Sequence, residues 1–133
     1  NMNTQIIEIF VSLALVLNQL TFQLGDLKLQ AEKETKQELK NEIMLCESGG
    51  NPKAVNHNDK KITGYSSKGL YQFQPKTFLK AGLRYKILPE NTTLKDVEKY
   101  IWNPAYNAAV AHALLDNGEV GHWENCYKKY LLK

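Results

Sequence analysis

"MLCESGGNPKAVN" occupies Met44 to Asn56 and sets a carboxylate, Glu47, between a cysteine and a Ser-Gly-Gly turn. Just upstream, Leu39, Ile43 and Met44 fall at helical steps, so the spacing predicts a helix that runs into Glu47. Ser48-Gly49-Gly50 stops it, glycine supplying the positive φ that closes a helix, and Asn51-Pro52 keeps it from restarting. An acid is thereby placed at the C-terminal end of a helix. The macrodipole there is negative and opposes ionisation, and burial pushes the same way. A carboxyl still protonated near neutral pH is what protonating a glycosidic oxygen requires. A lone Glu in a last helical turn is more often a surface residue; its neighbours decide.

Downstream, residues 53–74 are rich in Asn, Gly, Ser and Lys and predict a loop or small irregular hairpin, with β-like pieces around Ile62–Tyr65. Pro75 then opens a helix, "PKTFLKA", that Gly82 is expected to close. Thr92-Thr93 are expected N-caps for "LKDVEKYIW", and Asn103-Pro104 repeats that cap-and-start chemistry. The helix that follows, Ala105 to Asp116, carries Tyr106, Ala109, Val110, Ala113 and Leu114 on one face, and Asn117-Gly118 ends it. A last short helix around Gly121 to Leu132 bears Trp123 and Cys126.

The N-terminal third is different in kind. "IIEIFVSLALVLNQLTFQL", Ile6 to Leu24, holds one charge in nineteen residues and is long enough to span a bilayer. No Lys or Arg precedes it and no small-x-small site follows, which disfavours a cleaved signal peptide. Its polar residues (Glu8, Ser12, Gln19, Gln23, Asp26, Gln30) gather near one helical stripe. Opposite them Ile6, Phe10, Leu13, Leu17, Leu20, Leu24, Leu27 and Ala31 recur at three- and four-residue steps. The sequence therefore favours a long amphipathic or coiled-coil helix over a membrane anchor, which the length also permits. "AEKETKQELKNE", Ala31 to Glu42, reads as a solvated helical face. The expected division is residues 1–36 as a hydrophobic or amphipathic helix, an anchor or an oligomerising element, and residues 37–133 as one small domain.

Charge says little about partners. Residues 1–36 carry three lysines and four acids, residues 37–133 fourteen basic residues and ten acids, and the whole chain is +3. That is too weak a bias to argue for nucleic acid. The two cysteines, Cys46 and Cys126, could be buried thiols, a metal half-site or one disulfide. With no Cys-x-x-Cys and with His57, His112 and His122 far apart, metal fits worst, and neither a metal nor a cofactor is expected. "NHNDKKITG" is no calcium loop, because lysines stand where oxygen ligands are needed.

Taken together, "CESGGNP", then "GLYQFQPKTF" from Gly69 to Phe78, then "NPAYNAAVAHALL" resemble the lysozyme-like lytic transglycosylases of the soluble type. The matching blocks are Glu47-Ser48, Gly69-Leu70-Tyr71-Gln72 and Asn107. The chain is also similar to resuscitation-promoting-factor domains, which share Cys-Glu-Ser-Gly-Gly-Asn, Gly-x-x-Gln-Phe followed by Thr-aromatic (here Thr77-Phe78), and a terminal Trp-x-x-Cys (Trp123 to Cys126). The resemblance covers roughly residues 39–128. It departs at Ala108, Ala111 and Leu114, where the transglycosylase pattern has Ile, Gly and Tyr, and at Phe78, where the resuscitation type usually has Trp.

The resemblance implies a mainly α, α+β lysozyme-like fold: a small helical domain with a short irregular β/loop insertion, preceded by the long N-terminal helix. It implies a Cys46–Cys126 disulfide and an extracytoplasmic location, in periplasm, cell wall or medium. The implied reaction is cleavage of the β-1,4 bond between N-acetylmuramic acid and N-acetylglucosamine in peptidoglycan glycan strands. Glu47 would be the acid and then the base. In a transglycosylase the muramoyl C6 hydroxyl attacks and an anhydro ring closes, without a second carboxylate. A muramidase would need one, and Asp59 is the candidate, although a loop Asp beside Asn56 and Asn58 is ordinarily turn chemistry. Ser48, Tyr71, Gln72, Phe73, Asn107 and Trp123 are the expected substrate contacts, Gln72 foremost, as a contact to an N-acetyl group. Taken singly, each aromatic, Tyr65 included, is more often core packing, and Trp102 is assigned to the core. A non-cleaving peptidoglycan-binding module, and an interaction protein that self-associates or meets a membrane through residues 6–24, are the competing classes.

Overall fold

The computed structural model describes residues 1–133 and is mainly helical. It divides into two units, Asn1–Gln37 and Glu38–Lys133.

The first unit is helix throughout after Asn1 and belongs to α1 (Met2–Ser48). Asn1 caps it, its Oδ1 accepting from the amide of Asn3. Every residue from Asn1 to Glu38 is exposed. Exposure is not confined to the stripe Ile6–Leu13–Leu20–Leu27: Ile7, Val11, Leu15 and Phe22, which helical spacing places off that stripe, are equally bare.

The second unit is organised around one apolar core. The last turns of α1 contribute Ile43, fully buried, with Leu39 and Met44 beside it. The chain then forms β1 (Val55–Asn56), a 3-10 turn over His57–Asp59, α2 (Lys60–Thr63) and β2 (Ser67–Lys68). The two strands pair antiparallel, Val55 with Lys68 and Asn56 with Ser67. Residues 62–65 are therefore not β-like: Gly64, at φ +83°, closes α2, and Ile62 stays 86% exposed. The strand pair lies on either side of the segment expected to be strand. Isoleucine's β-propensity yields there to local turn chemistry, since Asn56 caps the 3-10 turn by accepting from Asn58 N.

α3 (Pro75–Arg84) starts at proline as the sequence indicates but runs through Gly82. Gly82 is a packing site instead of a stop: a Cβ there would lie 2.5 Å from Leu88 Cδ1. A Thr93–Asp96 capping box opens a 3-10 turn over Leu94–Asp96, followed by α4 (Glu98–Ile101). α5 (Pro104–Asp116), capped by Asn103, carries Val110, Ala111, Leu114 and Leu115 into the core. Its Asn117 C-cap precedes Gly118 in the left-handed region. A 3-10 turn over Gly121–Trp123 leads into α6 (Glu124–Leu131). Trp102 is half-buried at the edge of the core, packing against it while Nε1 donates to Glu98 Oε2.

Candidate active site

The segment Gly69–Phe73 wires the domain together. Asn107, fully buried on α5, accepts at Oδ1 from the Tyr71 amide (2.9 Å) and donates from Nδ2 to the carbonyls of Ile101 (2.8 Å) and Lys68 (3.3 Å). Gly69 must be glycine for two reasons: its φ is +83°, and a Cβ would fall 2.3 Å from Asn107 Nδ2. Tyr71 sends its hydroxyl to the Lys40 carbonyl of α1 and to His112 Nε2 of α5, both at 3.0 Å. Trp123 Nε1 donates to the Tyr71 carbonyl at 2.8 Å. One short loop thus fixes α1, α5 and the turn before α6 against each other.

Gln72 is the residue that this wiring presents. Its φ of +53° is unusual for a side chain with a Cβ, a cost of order 1 kcal/mol that persists only where the surroundings impose it. Its Nε2 donates to the Ala54 (3.0 Å) and Gly69 (2.9 Å) carbonyls, which consumes both amide hydrogens. The acceptor Oε1 is left over, on the wall of a cleft of about 260 Å³. Phe73, Trp123, Asp59, Ser67, Thr77 and His122 line the same cleft. Gln74 braces this wall by donating to the Tyr65 carbonyl and to Ser67 Oγ, while Thr63 Oγ1 donates to it.

Glu47 stands one residue from the end of α1. Ser48 Oγ donates to the Met44 carbonyl and accepts from Gly50 N, and Gly49 and Gly50 turn the chain at φ +63° and +81°. The Cys46–Cys126 disulfide, Cα–Cα 5.9 Å, ties this helix end to α6. Lys129, one turn beyond Cys126, is thereby brought within electrostatic reach of Glu47. Glu47 is half-buried and its carboxyl has no hydrogen-bond or ion-pair partner in the protein. Burial first, and the negative charge of Asp59 second, raise its pKa to about 7, and Lys129 pulls in the opposite direction. Asp59 is held by Ser67 Oγ, which donates to its Oδ2.

Asp59 and Gln72 thus line one cleft, and Glu47, which does not line it, feels the charge of Asp59; the other expected contacts are placed differently. Asn107 and Tyr71 have essentially no free surface, and Phe73 and Trp123, each 2% exposed, offer only ring edges. Burial leaves these four little surface for a sugar, and the polar atoms of Asn107, Tyr71 and Trp123 are already paired within the protein. Ser48 spends its hydroxyl on the turn. Lys129, Ser67, Thr77 and His122 were not anticipated as site residues; for Lys129 the signal was its spacing of three from Cys126, on the same helical face. No group of metal-ligating side chains is present.

No curated protein and no solved structure is significantly similar to the chain. A family model described as the transglycosylase SLT domain matches residues 27–130, well over half of the sequence and further upstream than the motifs alone reach. With the helix-end glutamate, the Gly-Leu-Tyr-Gln loop and the buried asparagine all inside that match, the chain belongs to the transglycosylase SLT domain family.

Proposed function

We propose that the protein is a peptidoglycan lytic transglycosylase that cleaves the MurNAc-β-1,4-GlcNAc bond with Glu47 as its single acid and base, leaving 1,6-anhydro ends. The observation that carries this reading is an unpartnered, half-buried carboxyl at a helix end, within electrostatic reach of the cleft-lining Asp59, in a chain of the SLT family. Glu47 would hold its proton until the glycosidic oxygen arrives, donate it as the bond breaks, then accept the proton of the muramoyl C6 hydroxyl as that oxygen closes the ring on C1. Gln72 Oε1 suits the N–H of an acetamido group, since its own hydrogens are occupied.

Asp59 favours a second reading, hydrolysis, because its charge is felt at Glu47 and it lies in the same cleft. Mass spectrometry of muropeptides separates the two: anhydro ends support the transglycosylase, and reducing ends would replace it with the hydrolase. Glu47→Gln should lower the cleavage rate by about 10²–10⁴-fold without unfolding the domain. Undiminished lysis by that variant would remove Glu47 from the mechanism.

The substrate and the disulfide both point to action outside the cytoplasm. Residues 6–24 would extend about 28 Å as helix, close to the roughly 30 Å of a bilayer's hydrocarbon layer, and are apolar over most of their circumference. A two-stranded coiled coil would cover the Ile6–Leu13–Leu20–Leu27 seam yet leave Leu15 and Phe22 in water, whereas lipid covers both. We therefore read this segment as a membrane tether for the catalytic domain, over self-association in solution.

A further inference from the structure

Residues 6–24 are apolar over most of their circumference but not all of it. Glu8, Ser12, Gln19 and Gln23 fall within an arc of about 60° at 3.6 residues per turn, and Asp26 and Gln30 continue that arc beyond the apolar run. We propose that this polar stripe is the surface through which two copies of the chain pair side by side within the bilayer, with Gln19 and Gln23 as the principal contacts. This rests on residues 6–24 being the membrane tether proposed above.

Three features carry it. The first is hydrogen bonding. Thr21, off the stripe, satisfies its own hydroxyl by donating to the Leu17 carbonyl at 2.9 Å. The side chains of Ser12, Gln19 and Gln23 have no partner in the protein. A carboxamide carries two donor hydrogens and an acceptor oxygen, and hydrocarbon offers none of them a partner. Glu8 lies near the start of the run, where its side chain reaches the headgroup level. Ser12 and Gln19 stand within about 6 Å of the middle of the run, out of that reach. The second feature is self-complementarity. A carboxamide both donates and accepts, so it can meet its own copy, which a carboxylate or an ammonium cannot do. The catalytic body has to lie on the same face of the membrane in every copy, so two copies run parallel. About a two-fold axis Gln19 then meets Gln19 and Gln23 meets Gln23. The third is shape. Along the stripe the side chains leave two open grooves, one lined by Gln5, Glu8, Ile9, Ser12, Leu13 and Val16, the other by Leu15, Asn18, Gln19, Phe22 and Gln23. Leu15 and Val16 flank the polar positions, so apolar ridges of a second helix pack there while the amides bond across the pair.

The experiment is sedimentation equilibrium of the full chain in density-matched detergent, over a series of protein-to-detergent ratios, beside flotation with lipid vesicles. The wild type should float, and should show a monomer–dimer equilibrium that follows its mole fraction in detergent. Replacing both amides, Gln19→Leu with Gln23→Leu, should weaken the dimer about tenfold and leave flotation intact. Gln19→Asn with Gln23→Asn, shorter but still self-complementary, should keep most of the pairing. Leu17→Ala, on the opposite face, should keep all of it. A wild-type chain that floats but stays monomeric at every ratio overturns the pairing and leaves the tether standing. A dimer that the leucine replacements do not weaken overturns it as well, because its contact then lies elsewhere. A chain that does not float removes the tether reading, and the pairing falls with it, since amides in water need no second helix.

Discussion

The two ends of one helix differ in their surroundings. Over residues 6–24 of α1 every side chain is bare and the apolar ones lie nearly all round, whereas over residues 39–48 of the same helix Ile43 is sealed in a core and Glu47 is shielded at its side. Helix propensity is good in both stretches, so backbone preference does not distinguish them. The difference lies in what surrounds the side chains. In the C-terminal stretch apolar residues come at a few positions and the polar ones have work to do: Lys40 pairs with Asp116 and its carbonyl takes the Tyr71 hydroxyl. In the N-terminal stretch apolar residues lie on and off the Ile6–Leu27 seam. A narrow seam suits one protein partner, and a wide apolar circumference suits the tether proposed above.

The sharpest way to break this comparison is through the disulfide, which belongs to the body alone. Cys46 and Cys126 close a loop of eighty residues, and chain entropy puts the stabilisation at about 4 kcal/mol. Cys126→Ser, or reduction, should lower the stability of residues 38–133 by that order and leave the helicity of residues 1–37 in detergent untouched. Both tryptophans, Trp102 and Trp123, lie in the body, so tryptophan fluorescence reads the first effect. The second is read by the far-ultraviolet dichroism that persists once the body, which has helices of its own, has unfolded; no residual helix at that point would mean that the two units are energetically one. Next in size is Asn107→Ala. It strands the Tyr71 amide and the Ile101 carbonyl in the core and should cost about 3 kcal/mol in the same fluorescence assay. A cost below roughly 1 kcal/mol would return Asn107 to the list of substrate contacts.

A smaller effect tests the helix end. Because burial pushes the Glu47 carboxyl up to about 7 in the folded state, from the ordinary glutamate value of 4.5, the folded state binds the extra proton between those values. Wild-type stability should therefore fall as pH rises from 4.5 through 7, and Glu47→Gln, which does not titrate, should not follow. The variant should be about 2 kcal/mol more stable than wild type at pH 8 and indistinguishable at pH 4. The cleavage rate should fall over the same upper range as the acid loses its proton. Parallel stability curves for the two proteins would mean an ordinary, solvated carboxylate.

Much of the body was legible in the sequence, and what escaped is specific. Helix starts at Pro75 and Asn103, and the stop after Ser48, follow from local backbone chemistry that the residues carry wherever they are placed. Gly82 misled because the same residue type that ends helices also makes room for a neighbour, and Leu88 is its neighbour only in three dimensions. Tyr71, Phe73 and Trp123 misled for a related reason. An aromatic beside an amide suits a sugar and a core equally, and only the partners of Trp123 Nε1 and the Tyr71 hydroxyl decide. The cysteine pair was fixed by family resemblance, since two residues eighty apart carry no local sign of their pairing.

The smallest expected effect is the one that defines the comparison best. Removing residues 1–37 deletes no buried side chain, since every one of them is exposed, so the body should keep its fluorescence-monitored stability to within about 0.5 kcal/mol. Its cleavage of soluble glycan fragments should likewise persist. What should vanish is flotation with lipid vesicles, which the full chain should show and the truncated chain should not. A full chain that stays with the soluble fraction and sediments as a discrete oligomer would mean that the Ile6–Leu27 seam meets protein, and Leu15 and Phe22 would then need a second partner of their own. Loss of stability on truncation would show instead that residues 38–48 need the preceding turns to nucleate their helix, a cost the packing of Ile43 alone does not cover.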